Sequence, residues 1–162
     1  MMFQNWIQIS KMQRIIVSDT SCLILLDKIG RIDLLSLLFN SVTITTVIAK
    51  EFGKELPSFI KITDPQNQIY QKILEGFLDP GESSAIALAL ESDDCLLIID
   101  EAKGRRKARQ LKLNVTGTIG ILITAKEKGL VNSITVIFDQ INKTDFRISE
   151  SLIDEAKKNC NE

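Results

Sequence analysis

The chain has 162 residues, enough for one domain with a sizeable core, and 44% of them are hydrophobic. Lys plus Arg number 20 against 21 Asp plus Glu, a net charge of −1, so nothing global marks a nucleic-acid binder and any such site must be local. There is no histidine, which excludes Ser-His-Asp and Cys-His nucleophilic machinery.

Met1, Met2 and Met12 all precede the first apolar run, so residues 1–13 are expected to be an extension, with Met12 an alternative start. The stretch up to Arg14 has no signal-type apolar region. Residues 14–162 are expected to form a single domain. In order, the pattern predicts a strand over Arg14 to Ser18, helices over Ser21 to Ile29 and Ile32 to Phe39, a strand over Val42 to Thr45 and a helix over Val47 to Lys54. Gly30 separates the first two helices as a stop. A looser stretch with Pro57 and Pro65 leaves room for a short strand at Phe59 to Ile62. Helices follow over Gln68 to Phe77 and Pro80 to Glu91, then a strand over Leu96 to Ile99, a helix over Glu101 to Leu111 and a strand over Leu113 to Val115. The helix Thr118 to Lys128 is closed by Gly129, and helices over Ser133 to Asn142 and Ser149 to Lys158 end the pattern. Strands separated by helices predict right-handed crossovers and an α/β fold whose mostly parallel sheet is covered on both faces.

Cys22, Cys95 and Cys160 are odd in number and far apart, with no CxxC spacing, which supports neither a disulfide framework nor a zinc knuckle. A reducing cytoplasm is the expected setting. Runs such as Cys22 to Leu26 are far too short to span a membrane, so a soluble protein is expected. The chain lacks a GxxxxGK[ST] phosphate loop and a strand-linked GxGxxG. A phosphatase of the haloacid-dehalogenase type would need a second Asp two residues after the first, where this chain has Ser21.

Four carboxylates stand out. Asp19 ends Ile15-Ile16-Val17 and Asp100 ends Leu96-Leu97-Ile98-Ile99, so both should project from the carboxyl edge of a parallel sheet, where ligands collect. Glu51 shares a helix with Val47, Ile48 and Phe52 and is expected on its core side. Glu82 lies in the first turn of Asp79-Pro80-Gly81-Glu82. If the four converge, all-oxygen donors favour Mg²⁺ or Mn²⁺ over zinc or copper. Each also has a plainer explanation. Asp19 and Asp100 can be helix caps, Asp79-x-x-Glu82 has capping-box spacing, and a buried Glu51 can pair with an arginine.

Directly after Asp100, Ala102 to Lys112 carries six cations and no acid, among them Lys103, Arg105, Arg106 and Arg109. Such a run can hold nucleic-acid phosphates, or an acidic partner segment, beside a metal site. Alternatively it is the solvated face of a helix whose Ala102, Ala108 and Leu111 point inward, with Glu101 paired to Arg105. Thr20, Ser21 and Thr118 place hydroxyls near the strand ends, where they can orient a carboxylate or a water, or cap helices.

Ile16-Val17-Ser18-Asp19-Thr20-Ser21, Gly81-Glu82-Ser83-Ser84-Ala85-Ile86-Ala87-Leu88-Ala89, Leu97-Ile98-Ile99-Asp100-Glu101, Gly104-Arg105 and Val115-Thr116-Gly117-Thr118-Ile119-Gly120 resemble, in order and spacing, the PIN domain. The likeness is greatest to VapC-like proteins of toxin and antitoxin pairs and runs from Arg14 to the end. It implies a three-layer α/β/α sandwich, an acidic Mg²⁺ or Mn²⁺ site and ribonuclease activity, often as a toxin inhibited by a small partner protein. On that mapping Asp19, Glu51, Glu82 and Asp100 are the metal-site and catalytic acids. Many PIN nucleases carry a further acid about a turn after the strand-end Asp. This chain has Lys103 and Gly104 there, and Glu101 is the available substitute. The expected function is a metal-dependent ribonuclease, the toxin of a type II pair, with RNA as substrate and a small antitoxin as partner; a homodimer is left open. The competing expectation is a non-catalytic protein of the same fold that binds RNA or a partner.

Overall fold

The computed structural model describes residues 15–162; the expected extension over residues 1–13 lies outside the described residues. Five strands, β1 (Ile15–Ser18), β2 (Val42–Ile44), β3 (Ile60–Ile62), β4 (Cys95–Ile98) and β5 (Asn114–Thr116), form one sheet in the order β3-β2-β1-β4-β5. Every pairing is parallel, with Val17 opposite both Thr43 and Leu97. Among the described residues the helices are α1 (Thr20–Lys28), α2 (Leu34–Phe39), α3 (Thr46–Phe52), α4 (Ile69–Leu74), α5 (Pro80–Leu90), α6 (Ala102–Gln110), α7 (Thr118–Glu127), α8 (Ile134–Asn142) and α9 (Glu150–Asn159). Together they make the expected three-layer α/β/α sandwich. No described helix is long and apolar enough to cross a membrane.

The central strands explain the layers. All four residues of β4 are buried, as are Ile16, Val17 and Ser18 of β1, so both faces of the sheet must be covered. Right-handed crossovers put the helices that lead from β1 to β2 on one face and those that lead from β3 to β4 on the other. α5 packs on β1 and β4, α6 packs on β5 and α5, and α2 packs on β2 and α7. α5 is buried on every side from Gly81 to Ala89, and its small residues let the backbones around it approach closely. Gly30 and Gly129 take left-handed φ angles of 68° and 73° and stop α1 and α7, a conformation that costs glycine little.

Two helices differ from expectation. The helix expected over Gln68 to Phe77 ends at Leu74, because only Leu74 and Leu78 reach the core while Ile69, Ile73 and Phe77 face solvent. On α6 the buried pair is Gly104 and Ala108, four residues apart; Ala102 and Leu111 are exposed rather than inward. The three cysteines are buried and free.

The strand order reverses between β1 and β4, since β1 leads away to β2 on one side and β4 leads to β5 on the other. The crevice outside the carboxyl ends of these two strands is where an open parallel sheet binds ligands. Asp19 follows β1 directly, and Asp100 lies two residues beyond β4.

Candidate active site

Asp19 links the two central strand ends. One of its carboxylate oxygens caps α1 by accepting from the Cys22 N–H at 3.0 Å, and the other accepts from the Asp100 N–H, also at 3.0 Å. The carboxyl group is only 3% exposed, and burial, reinforced by the Asp100 charge, pushes its pKa up against the pull of the two N–H groups. Asp100 does not cap the helix that follows it; Glu101 does, weakly, accepting from Lys103 N at 3.4 Å. The Asp100 carboxylate instead reaches the start of α7, accepting from Thr118 N at 2.7 Å and from the Thr118 hydroxyl at 2.5 Å. α7 has no side-chain cap of its own, because its N-cap is Gly117. A β-carbon on Gly117 would stand 2.8 Å from Asp100 Oδ1, so the missing side chain makes room for the carboxylate.

A second acid pair lies between α5 and α6. Asp79 accepts from Glu82 N at 2.8 Å, which is half of a capping box, while the Glu82 carboxyl lies close enough to Glu101 to feel its charge. Burial first, then the charges of Asp79 and Glu101, push Glu82 from 4.5 up to about 7. Gly104 permits this close packing: a β-carbon there would meet Ile99 Cδ1 at 2.7 Å and Glu82 Cδ at 3.3 Å. Of the two positions where many PIN nucleases carry a further acid, Gly104 is sterically closed by Ile99 and Glu82, and Lys103 is exposed.

Glu51 corrects an expectation. It is exposed rather than turned to the core, because Ile48 and Phe52 fill the inner face of α3 and Glu51 lies beside it. It still reaches towards the other acids, accepting from the Thr20 hydroxyl, with its carboxylate above Gly81, where a β-carbon would come within 2.6 Å of Oε2. The basic run divides. Arg105 is half-buried, with its Nη1 3.3 Å from the β-carbon position of Gly117, and its Nε is buried without a hydrogen-bond partner among the described residues. Burial, then the neighbouring Arg109 charge, pulls its pKa down, and Asp100 opposes them. Arg106 and Arg109 are exposed, and Lys103 and Arg106 border a separate depression beside Phe77. The expected Glu101–Arg105 pair is not among the ion pairs of the described residues.

Asp100, Glu101, Arg105, Thr118 and Ser21 line a cavity of about 380 Å³. Its outer wall comes from residues that sequence reasoning did not single out: Leu25, Phe146, Arg147, Ile148 and Leu152. An aromatic ring and an arginine together in the irregular stretch between the last two helices were the available signal.

The model of the DUF3368 family, described as a PIN domain, matches residues 15–162. The chain belongs to the PIN-domain family. No curated protein and no solved structure gives a match. PIN domains have a nuclease-like fold, are generally nucleases and typically use divalent metals. This PIN domain offers oxygen donors only, among them the Asp19 and Glu82 carboxyls, whose pKa values are raised first by burial and then by neighbouring carboxylates. Among the described residues no three acids are already drawn into a metal centre; they stand as two pairs, Asp19 with Asp100 and Glu82 with Glu101. A Mg²⁺ ion held by one or two carboxylates, with waters and substrate phosphate completing its shell, fits that donor set.

The raised carboxylates set a pH dependence for the metal-free PIN domain. Glu82 binds a proton more tightly folded than unfolded, so its stability contribution is lost as pH rises from 4.5 towards about 7, and Asp19 acts in the same direction. Urea denaturation in EDTA should therefore give a higher midpoint near about pH 5 than near about pH 7.5. Glu82→Gln should flatten that difference, and a midpoint that rises between the two pH values would contradict it.

Proposed function

We propose that this PIN domain is a metal-dependent ribonuclease that hydrolyses RNA phosphodiester bonds with Mg²⁺ or Mn²⁺, acting in the cytoplasm as the toxin of a type II pair with a small antitoxin protein. The observation that carries the nuclease reading is the Asp19–Asp100 link at the topological switch point: the Asp19 carboxylate accepts from the Asp100 N–H, and the Asp100 carboxylate in turn accepts from the Thr118 N–H. Asp19 and Asp100 would hold the cation, with Glu82 nearby and Glu51 and Glu101 at the margin. When bound, the cation supplies charge neutralisation at the phosphate and an activated water.

The chain's own residues do the positioning. Thr118 fixes the Asp100 carboxylate through both of its donors, so the carboxylate does not reorganise during the reaction. Arg105 brings a cation into the same cavity and can take a phosphate oxygen, while Lys103, Arg106 and Arg109 face outward, where they can hold more distant phosphates or an acidic antitoxin segment. Ser21 adds a hydroxyl at the rim.

Purified protein incubated with a panel of single-stranded and structured RNAs, with Mg²⁺, Mn²⁺ or EDTA, tests the proposal. Cleavage that disappears in EDTA is expected. Unchanged cleavage in EDTA would reject the mechanism, and binding without cleavage across the panel would favour the non-catalytic alternative, which the lack of an acid at Lys103 and Gly104 makes concrete. A reading frame for a small protein beside this one would support the toxin assignment.

A further inference from the structure

The cavity beside the acids shares Asp100 and Thr118 with them, so an occupant lies next to the bond that is cut. Its other walls are apolar: Leu25 of α1, Ile119 of α7, Phe146 and Ile148 of the loop before α9, and Leu152 of α9. The charges on the lining are balanced, Arg105 and Arg147 against Asp100 and Glu101, which does not suit a bare anion. The loop is held in place by its own bonds. Arg147 Nη1 donates to the carbonyls of Thr144 at 2.8 Å and Phe146 at 2.9 Å, and the Thr144 hydroxyl donates to Ile141 O at 2.6 Å and accepts from Phe146 N at 3.1 Å. Asp145 pairs with Lys28, whose Nζ lies 5.4 Å from the centre of the Phe146 ring. The aromatic wall is thus formed before any ligand arrives, which lowers the cost of binding. Arg147 Nη1 is spent on the loop, while Arg105 and the Ser21 hydroxyl bring hydrogen-bonding groups to the lining.

From this arrangement we infer that the cavity seats one unpaired nucleobase of the RNA strand, adjacent to the scissile phosphate, between the Phe146 wall and the apolar side chains of α1, α7 and α9. The inference rests on the ribonuclease reading and refines its substrate to RNA with an unstacked base at that position. A flat π system with a polar edge matches apolar walls, an aromatic side chain and the polar groups of Arg105 and Ser21. A base inside a duplex would first have to leave its stack, so single-stranded segments are favoured.

The test is a fluorescence-anisotropy titration of the full chain with single-stranded RNA oligonucleotides, intact or carrying one abasic nucleotide at successive positions, in Ca²⁺ so that binding is read apart from cleavage. One abasic position should weaken binding by about 5- to 150-fold, the factor for stacking a single base, and other positions should stay within about twofold. Phe146→Ala should weaken the intact strand by a similar factor and leave the strand abasic at the sensitive position unchanged; Phe146→Trp should keep the affinity. A flat abasic profile on the unsubstituted protein overturns the pocket. So does a Phe146→Ala loss equal on intact and abasic strands, or affinity for an arginine-rich peptide with none for RNA. Cleavage in Mg²⁺ is scored separately: cleavage with a flat profile removes the pocket and keeps the nuclease, whereas one sensitive position without cleavage keeps the pocket and removes the nuclease.

Discussion

Asp100→Asn is expected to keep the fold and to lose RNA cleavage by about 100-fold or more, the scale of removing one fixed polar group from a charged transition-state site. The substitution is structurally mild for a specific reason. Asp100 Oδ1 accepts from Thr118 N, which an Asn oxygen can also do, and Oδ2 faces a hydroxyl, which can turn round and accept from the Asn NH₂. Removing one of two neighbouring negative charges should leave the metal-free protein equally or more stable. Asp19→Asn is not equally mild, although Asn caps helices about as well as Asp. Both Asp19 oxygens accept from backbone N–H groups, so an Asn would turn its NH₂ towards one of them and leave a buried donor without a partner. Asp100→Asn therefore separates ligand from scaffold. Near-parental cleavage by a folded Asp100→Asn protein would remove Asp100 from the chemistry.

Gly117→Ala should be nearly as damaging to activity and more damaging to stability. Gly117 has φ −122° and ψ 178°, extended backbone that any residue adopts, so the effect is steric and not conformational. The new methyl would sit 2.8 Å from Asp100 Oδ1 and 3.3 Å from Arg105 Nη1. The arginine end is flexible and can move aside. The short Asp100 side chain is tied to Thr118 and cannot move without breaking those bonds. Overpacking of this kind costs about 1–3 kcal/mol, and a displacement of about 1 Å at reacting groups can cost about 100-fold in rate. Urea denaturation and single-turnover cleavage on the same preparation check it. Full activity in Gly117→Ala would mean that the Asp100 position is not critical.

The sheet and the placement of Asp19 and Asp100 at its carboxyl edge were legible because both depend on short-range signals: apolar runs that end abruptly in an acid, each followed by helical periodicity. Glu51 was misjudged because α3 has only seven residues, so two anchors, Ile48 and Phe52, satisfy its buried face and the residue beside them turns out. On α6 Ala108 is buried as expected, but its partner on that face was missed for the opposite reason: Gly104 carries no hydrophobic signal, yet it sits against Ile99 and Glu82. Thr118 was expected near the strand ends with a hydroxyl able to orient a carboxylate; that the carboxylate is that of Asp100, 18 residues away, and that the backbone N–H donates as well, is a tertiary relation that local pattern does not encode. The same holds for Phe146 and Ile148, which lie in a loop without periodicity and reach the site only because α9 returns against α7 and α8.

The central claim is that the carboxylates at the switch point hold a divalent cation, and thermal melts of the parent and Asp100→Asn proteins across Mg²⁺ and Mn²⁺ titrations, starting from metal-free buffer, test it most directly. A cation that binds only the folded state should raise the parent melting temperature, reaching about 2.7 to 4.1 kcal/mol of stabilisation at about 100 to 1,000 times the dissociation constant. That increment should shrink sharply in Asp100→Asn. Equal shifts in the two proteins, or no shift in the parent, would contradict it.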